Sequence, residues 1–470
     1  MKKLGATLLS VGSLACLGVV LFNQRPTQQA KADGDVRIIA SDSEFEAFKT
    51  DLLDDEMEGK TIRLDADINY TLTGALSSEG AMRGTFDGNG HTITISVSCE
   101  PTTTLSLFRS IGSQGIVSNL TIEGTITGTS YVAGIAARNY GLIQNCTNKA
   151  TITGTGTYVA GIAGLANKEK TENVHARVIN CKNYGDISST HSSSASLGLG
   201  GIVGYSFGNS TIESCSNYGT VTSGTAPFGV GGILGVIKST SAATGDVYLT
   251  NCYNAGDVNG DRYVGGILGH IDSDNVKKVH VSGCLNAGNI TYSNKTKGYD
   301  GQLIGNAKSS SSFTLESSAI IGKLSAKTTN SDSDHIGQVI GYPKADTYSG
   351  VNVATTAGVS SNVKKVIELV RNFDCEADAS YKAELNTALE SLTSDEETML
   401  SGVTYWDKAE GADKDYISAA YYILGYSATP SRMNVLNKNN ALLYIVIAIS
   451  FVSLSGLVMV LVIRKKKTNL

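Results

Sequence analysis

Proline, tryptophan, histidine and charge are all scarce in this chain: 470 residues hold 5 Pro, 1 Trp and 6 His, and only 17% are charged. So few prolines, with no Gly-x-y period, exclude Pro-rich rods and collagen. A formal net charge of -5 and a pI near 5.8 exclude a basic nucleic-acid-binding surface. Cys-x-x-Cys pairs and His-Glu-x-x-His are both missing, so neither a structural zinc site nor a zincin peptidase has its ligands. The histidines, at 91, 175, 191, 270, 280 and 335, show no spacing for zinc or a catalytic triad. Glycine is abundant instead: 52 of 470 residues, about 11% against the usual ~7%. That is too much for a helical bundle.

The two ends carry hydrophobic segments. Met1-Lys2-Lys3 leads into an uncharged stretch from Leu4 to Phe22 and a polar segment ending in Ala30-Lys31-Ala32. This is the layout of a secretory signal over residues 1–32, with cleavage before Asp33; retained, the same stretch would serve as a signal anchor. Cys16 follows Ser13-Leu14-Ala15, which lacks the aliphatic lead of a lipidation site. Ala441 to Ile463 contains no charge and is followed at once by Arg464-Lys465-Lys466-Lys467. At 1.5 Å per residue that segment reaches roughly 35 Å, enough to cross a bilayer as one helix. Its basic tail, 464–470, then stays in the cytoplasm and the preceding chain lies outside the cell. The residues before the span, Ser427 to Ser431, carry no Leu-Pro-x-Thr-Gly sorting motif, so the expected anchor is the helix itself.

The middle repeats. Five units follow the consensus Cys-x-Asn-x-Gly-x-Ile/Val, the first with Ala150 in place of Gly, and Cys146, Cys181, Cys215, Cys252 and Cys284 are each followed two residues later by Asn148, Asn183, Asn217, Asn254 and Asn286. An aliphatic residue stands three positions before each Cys, and between units recurs a Val-Gly-Gly-Ile-like block, as at Val230 and Val264. These blocks are short, β-branched and Gly-punctuated, which predicts strands rather than helical repeats. Strands repeated in register stack as a parallel β-helix, turning each motif position into a ladder. Ile/Val rows then fill the interior, joined by the Cys row as buried free thiols. The Asn row sits at a corner, each amide bonding to the next, and the following Gly supplies positive φ.

The segment Gly84 to Ile95, with its Asp87-Gly88-Asn89-Gly90 turn, then Leu107-Phe108 and the Tyr-Val-x-Gly-Ile and Asn-Cys-x-Asn units, resembles the GLUG-type repeats of bacterial surface proteins. The resemblance spans roughly residues 60 to 345 and implies a surface location with adhesion or matrix binding. Some members of that family carry a zinc peptidase domain, whose His-Glu-x-x-His motif this chain lacks.

The expected organisation is therefore mainly β. An N-terminal cap and first strand occupy 33–75, where Ser41 to Glu44 forms a capping box, Phe45, Phe48 and Leu52 share a helical face, and Ile62, Leu64, Ala66 and Ile68 alternate. β-helix repeats fill 76–355; a small α-helical bundle (361–427), a linker (428–440) and the transmembrane helix (441–463) follow.

For function, Asp87 to Gly90 and Asp257 to Asp261 come nearest to an acidic site, yet both are Gly-punctuated turns without the ligand pattern of a calcium loop. No catalytic, metal-binding or cofactor-binding residue is assigned. Tyr131, Tyr158, Tyr263 and Tyr299 each stand four residues before the equivalent aliphatic position. Such a row either faces a sugar ligand or supports the fold by stacking on itself. The expected activity is non-catalytic binding of an extracellular glycan or protein, with no nucleic-acid partner. The alternative is a β-helix polysaccharide lyase or hydrolase.

Overall fold

The computed structural model describes residues 36–353, interrupted in several loops, and scattered positions between 362 and 393. The signal, the bundle taken as a unit, the linker, the membrane span and the basic tail lie outside the described residues. Among those described, no helix is long and apolar enough to cross a membrane.

Forty-one short strands follow one another, with a single helix among the described elements, α1 (Asp42–Asp54). They form sheets of ten, sixteen, seven and eight strands, and the named strands pair parallel throughout. One coil illustrates the path: Ala176–Ile179 lies in the ten-stranded sheet, Lys182–Asn183 and Ile187–Ser189 in the sixteen-stranded one, Ser196–Gly200 in the seven-stranded one and Val203–Ser206 in the eight-stranded one. Ser210–Glu213 then returns to the first sheet, beside Ala176–Ile179. The molecule is a parallel β-solenoid. Equivalent residues stack in register, Val178 on Ile143 and under Ile212, Leu249 and Val281, and these side chains fill a dry interior. Period-2 alternation and recurrence once per coil act together here.

At the N-terminal end α1 covers the first coil. Ser41 Oγ accepts from Glu44 N at 3.4 Å, while the Glu44 carboxylate takes Ala40 N at 2.7 Å. Phe45 and Phe48 are buried against Tyr70 and Phe86, with centroids 5.0 and 5.6 Å apart, and Leu52 packs at the margin. The expected first strand is corrected. Val36–Ile39 precedes it, paired with Thr61–Leu64, and the Ile62 to Ile68 alternation breaks into two strands in different sheets, Thr61–Leu64 and Ile68–Leu72.

The Asn row forms a continuous buried ladder. Each Nδ2 donates to the Oδ1 one coil on: Asn148 to Asn183 (2.7 Å), Asn183 to Asn217 (2.7 Å), Asn217 to Asn254 (2.8 Å) and Asn254 to Asn286 (2.8 Å). Each also donates to the carbonyl two residues on, at 2.9 to 3.0 Å. The next coil has Ile320 in this register, so Asn286 donates instead to Gln302 Oε1 at 2.7 Å. Gln302 stands where the preceding coil has Gly266, and its longer side chain reaches the ladder's end. At the other end Ile122 precedes, and Asn148 Oδ1 has no partner.

The expected corner geometry is also corrected. Gly185, Gly219, Gly256 and Gly288 do not have positive φ; the left-handed residues are those immediately before each Cys: Asn145, Asn180, Ser214, Asn251 and Gly283, with φ of 51 to 63°. The glycines are required by contact instead. A Cβ on Gly219 would lie 2.0 Å from Gly185 O, and one on Gly256 2.0 Å from Gly219 O. Coils approach too closely there for any side chain.

All five repeat cysteines are free and fully buried. Each thiol donates to carbonyls, as Cys215 does to Glu213 O (3.3 Å) and Val178 O (3.4 Å). Burial pushes the Cys146, Cys215 and Cys252 thiols well above their ordinary range, so they pack as small apolar groups.

Candidate functional site

The Val-Gly-Gly-Ile block is where the seven- and eight-stranded sheets join. Ile135, Ile162, Ile202, Ile233, Ile267 and Leu303 point into the core, and the two strands around each fold back on one another. Glycine makes this angle sharp. A Cβ on Gly204 would sit 2.8 Å from Gly164 O and 3.0 Å from Val159 N; on Gly235, 2.5 Å from Leu199 N; on Gly269, 2.5 Å from Val230 N. Each of these residues presses against the backbone of the coil before it. The side chains on the two arms just beyond that contact are thereby brought together along the solenoid.

One rim carries the four predicted tyrosines. The register Val132–Val159–Leu199–Val230–Val264 places Tyr131, Tyr158, Gly198, Gly229 and Tyr263 in one row. Each has positive φ, at 54, 64, 63, 90 and 57°. Tyr131 stacks on Tyr158 with centroids 4.4 Å apart, and Tyr263 on Tyr299 at 5.3 Å. The two pairs do not meet, because two glycine coils separate them.

The opposite rim fills those gaps. A Cβ on Gly198 would lie 2.6 Å from Tyr205 Cδ2, and one on Gly229 2.0 Å from Val236 Cγ2, so both spaces are taken from the other strand. Tyr205 meets Tyr158 at 4.7 Å and Phe207 at 5.0 Å; further along, His270 lies 4.6 Å from Tyr263 and Tyr342 4.6 Å from Tyr299. Tyr205, Phe207, His270 and Tyr342 were not anticipated. Their signal is complementary: glycine in the tyrosine row, with Tyr205 seven residues after Gly198.

The ring faces are spent on neighbouring rings, so a ligand meets edges and hydroxyls rather than open aromatic faces. Burial pushes the Tyr158 phenol up to about 12 and raises Tyr205 further, so both stay neutral. Charge enters at three places. The Arg138 guanidinium lies 4.4 Å above the Tyr131 ring. Lys238 Nζ meets Asp272 Oδ2 at 2.7 Å, and His270 Nε2 stands 3.6 Å from Asp272 Oδ1. Burial opposes ionisation of Asp272, but His270 and Lys238 outweigh it and hold that carboxyl well below the usual range. Asp300 is fully buried in register with Val264, and burial pushes its carboxyl up to about 8.

Among the described residues no three His, Cys, Asp or Glu side chains gather as a metal site. Asp87 accepts from the Asn89 backbone at 3.0 Å within its turn, and Asp257 bonds to Asn289 across coils. His91 and His280 each approach an aspartate, Asp67 at 3.1 Å and Asp246 at 3.5 Å.

No protein-family model and no curated protein matches this sequence, so the GLUG-type resemblance rests on its motifs. Among solved structures, the chain is similar to a candidate immunoglobulin A1 protease from Bacteroides ovatus, with 19% identity over 70% of this chain and 86% of that one, at a TM-score of 0.45. That likeness is too distant to bear on function.

Proposed function

We propose that the protein is a membrane-anchored, extracellular β-solenoid of the GLUG-repeat type that binds a surface or matrix glycan, or a protein, without catalysing a reaction. The observation that carries the binding reading is the rim of the angle. Half-buried tyrosines, stacked in two pairs and joined at one end by a guanidinium, line a wall whose backbone is already paired, so what they offer a ligand is ring edges, hydroxyls and the charge. The uncharged segment 441–463 and its basic tail support the anchor, and residues 1–32 support export. Protease shaving of intact cells should release the solenoid and spare an epitope placed after Lys467; protection of the solenoid would refute the topology. Glycan and matrix-protein arrays probed with the full chain test the binding half, and no signal on either would remove it.

A polysaccharide-cleaving reading draws on one observation, the His270–Asp272 pair beside Tyr263. Release of reducing or unsaturated sugar ends by the protein would establish it. His270 is buried and its Nδ1 already faces Asn306 O at 3.3 Å, which favours a packing role.

A further inference from the structure

Of Arg83, Arg109 and Arg138, which lie in the coils leading to the first tyrosine pair, only Arg83 is matched by a carboxylate among the described residues. Arg83 forms a two-pronged pair with Glu169, at 3.1 and 2.6 Å, and Glu169 also accepts Ser113 N at 3.2 Å. These contacts, the Arg83 fork first, hold the Glu169 carboxyl down at about 2 despite partial burial, so it is ionised and committed. Arg138 and Arg109 differ. Arg138 lies in Ala136–Asn139 with its guanidinium over Tyr131, and among the described residues it has no acidic partner. Arg109 lies on the adjoining strand, Phe108–Ile111, which is in register Ser110 to Arg138. Between buried Phe108 and Ile111, Arg109 and Ser110 are both half-buried, Ser110 level with Arg138 and Arg109 one position before it, and Arg109 likewise has no acidic partner among the described residues. Tyr140, two residues beyond Arg138, is half-buried, and its backbone N–H donates to Ile111 O at 2.9 Å.

We infer that this face, formed by Arg109, Arg138, Tyr131, Tyr140 and Tyr158, is a binding site for a carboxylate-bearing saccharide. A guanidinium fork matches a carboxylate in two parallel hydrogen bonds, and partial withdrawal from water strengthens them. The two positive charges stand on neighbouring strands of a chain whose net charge is -5. The tyrosine edges and Ser110 suit a ring bearing hydroxyls. An acidic peptide is the poorer match, because Ala136–Asn139 is paired on both sides, and the outer edge of Phe108–Ile111, which ends the eight-stranded sheet, is already met at Ser110 and Gly112 by Met82.

This deepens the binding reading above and rests on it, and the experiment separates the two. Full-length protein in detergent is titrated with oligogalacturonate, hyaluronan and alginate oligomers, with the carboxyl-reduced form of each, and with polyglutamate. The acidic saccharides should bind, weakening with salt, and Arg109→Gln or Arg138→Gln should each weaken binding about tenfold or more with unchanged thermal melts. Arg138→Lys, which keeps the charge but loses the fork, should recover only part. Equal binding of acidic and reduced oligomers, unaffected by either substitution, would overturn the inference and leave glycan binding standing. Arg-dependent binding of polyglutamate alone would overturn the saccharide class. Failure of every saccharide would overturn both the inference and the glycan reading.

Discussion

Replacing Asn217 by leucine tests the ladder at its middle rung. The Asn217 amide donates to Gly219 O (2.9 Å) and Asn254 Oδ1 (2.8 Å) and accepts from Asn183 Nδ2 (2.7 Å), with no solvent exposure. Leucine removes all three bonds and leaves two acceptors and one N–H unpaired in a dry interior. At ~1 to 3 kcal/mol for each stranded group the loss is roughly 3 to 9 kcal/mol. Burying the leucine returns about 2 kcal/mol, so the net destabilisation is roughly 1 to 7 kcal/mol. The site is also tight: Asn217 Cγ lies only 2.3 Å from where a Cβ on Gly201 would stand. Because coils stabilise chiefly their neighbours, the two halves should uncouple. Urea unfolding followed by circular dichroism should show a lower midpoint and a broader transition, and limited proteolysis should gain a cut near residue 217. Thr190→Ala, at an exposed position, is the comparison and should change stability by less than about 0.5 kcal/mol. If Asn217→Leu matches Thr190→Ala in both assays, the ladder contributes nothing and the argument fails.

Asp300 is tested by pH. Its folded value of about 8 exceeds the ordinary 3.8, so the folded state keeps a proton that the unfolded state has released, and stability falls as pH rises from about 4 to about 8. The full difference has a ceiling of about 6 kcal/mol at 1.36 kcal/mol per pH unit. Asp300→Asn should flatten the melting temperature between pH 5 and 9, and parallel slopes for the two proteins would disprove the assignment. Gly235→Ala should destabilise by more than about 2 kcal/mol, although such a change in an unstrained site stabilises by ~0.4 to 1 kcal/mol. The added Cβ would meet backbone atoms at 2.5 and 2.6 Å, and a raised melting temperature would show that the sheets can part. The five buried thiols should resist alkylation in native protein and label on unfolding, as read by peptide mass spectrometry; rapid native labelling of Cys215 would place that row outside.

The solenoid was legible because a side chain that stacks on its own copy must recur, and Cys146 to Cys284 and Asn148 to Asn286 recur at one spacing within their motif. Details that break the copying were not. Val36–Ile39 went unread because Val36 and Ile38 face outward and exposed, so the strand shows no buried stripe. The left-handed position was assigned to the wrong residue because Asn and Gly suit both a ladder and positive φ, and only the backbone separates the two roles. The four tyrosines were recognised as a row, but what fills the coils between Tyr158 and Tyr263 was not. The space is in fact kept filled by Tyr205 and Val236, residues near in space and on another strand. Gln302 ends the ladder for a similar reason: it answers the loss of asparagine at Ile320 from the bend between Asp300–Gly301 and Ile304–Asn306.

The direction of strand pairing also decides how the molecule answers force. Every inter-coil hydrogen bond, including the asparagine rungs, points along the solenoid, so a pull on its two ends loads the coils in series. Such bonds open one coil at a time rather than shearing together. Each repeat of 32 to 37 residues that peels away exchanges a rise of ~4.8 Å for a tether of roughly 110 Å. Coils without a full rung, around Ile122 and Ile320, have one fewer of these axial bonds to break. A solenoid stretched between two attachment points is therefore a stepwise extensible line, in which the asparagine rungs add to what each coil from Asn148 to Asn286 must lose before it opens.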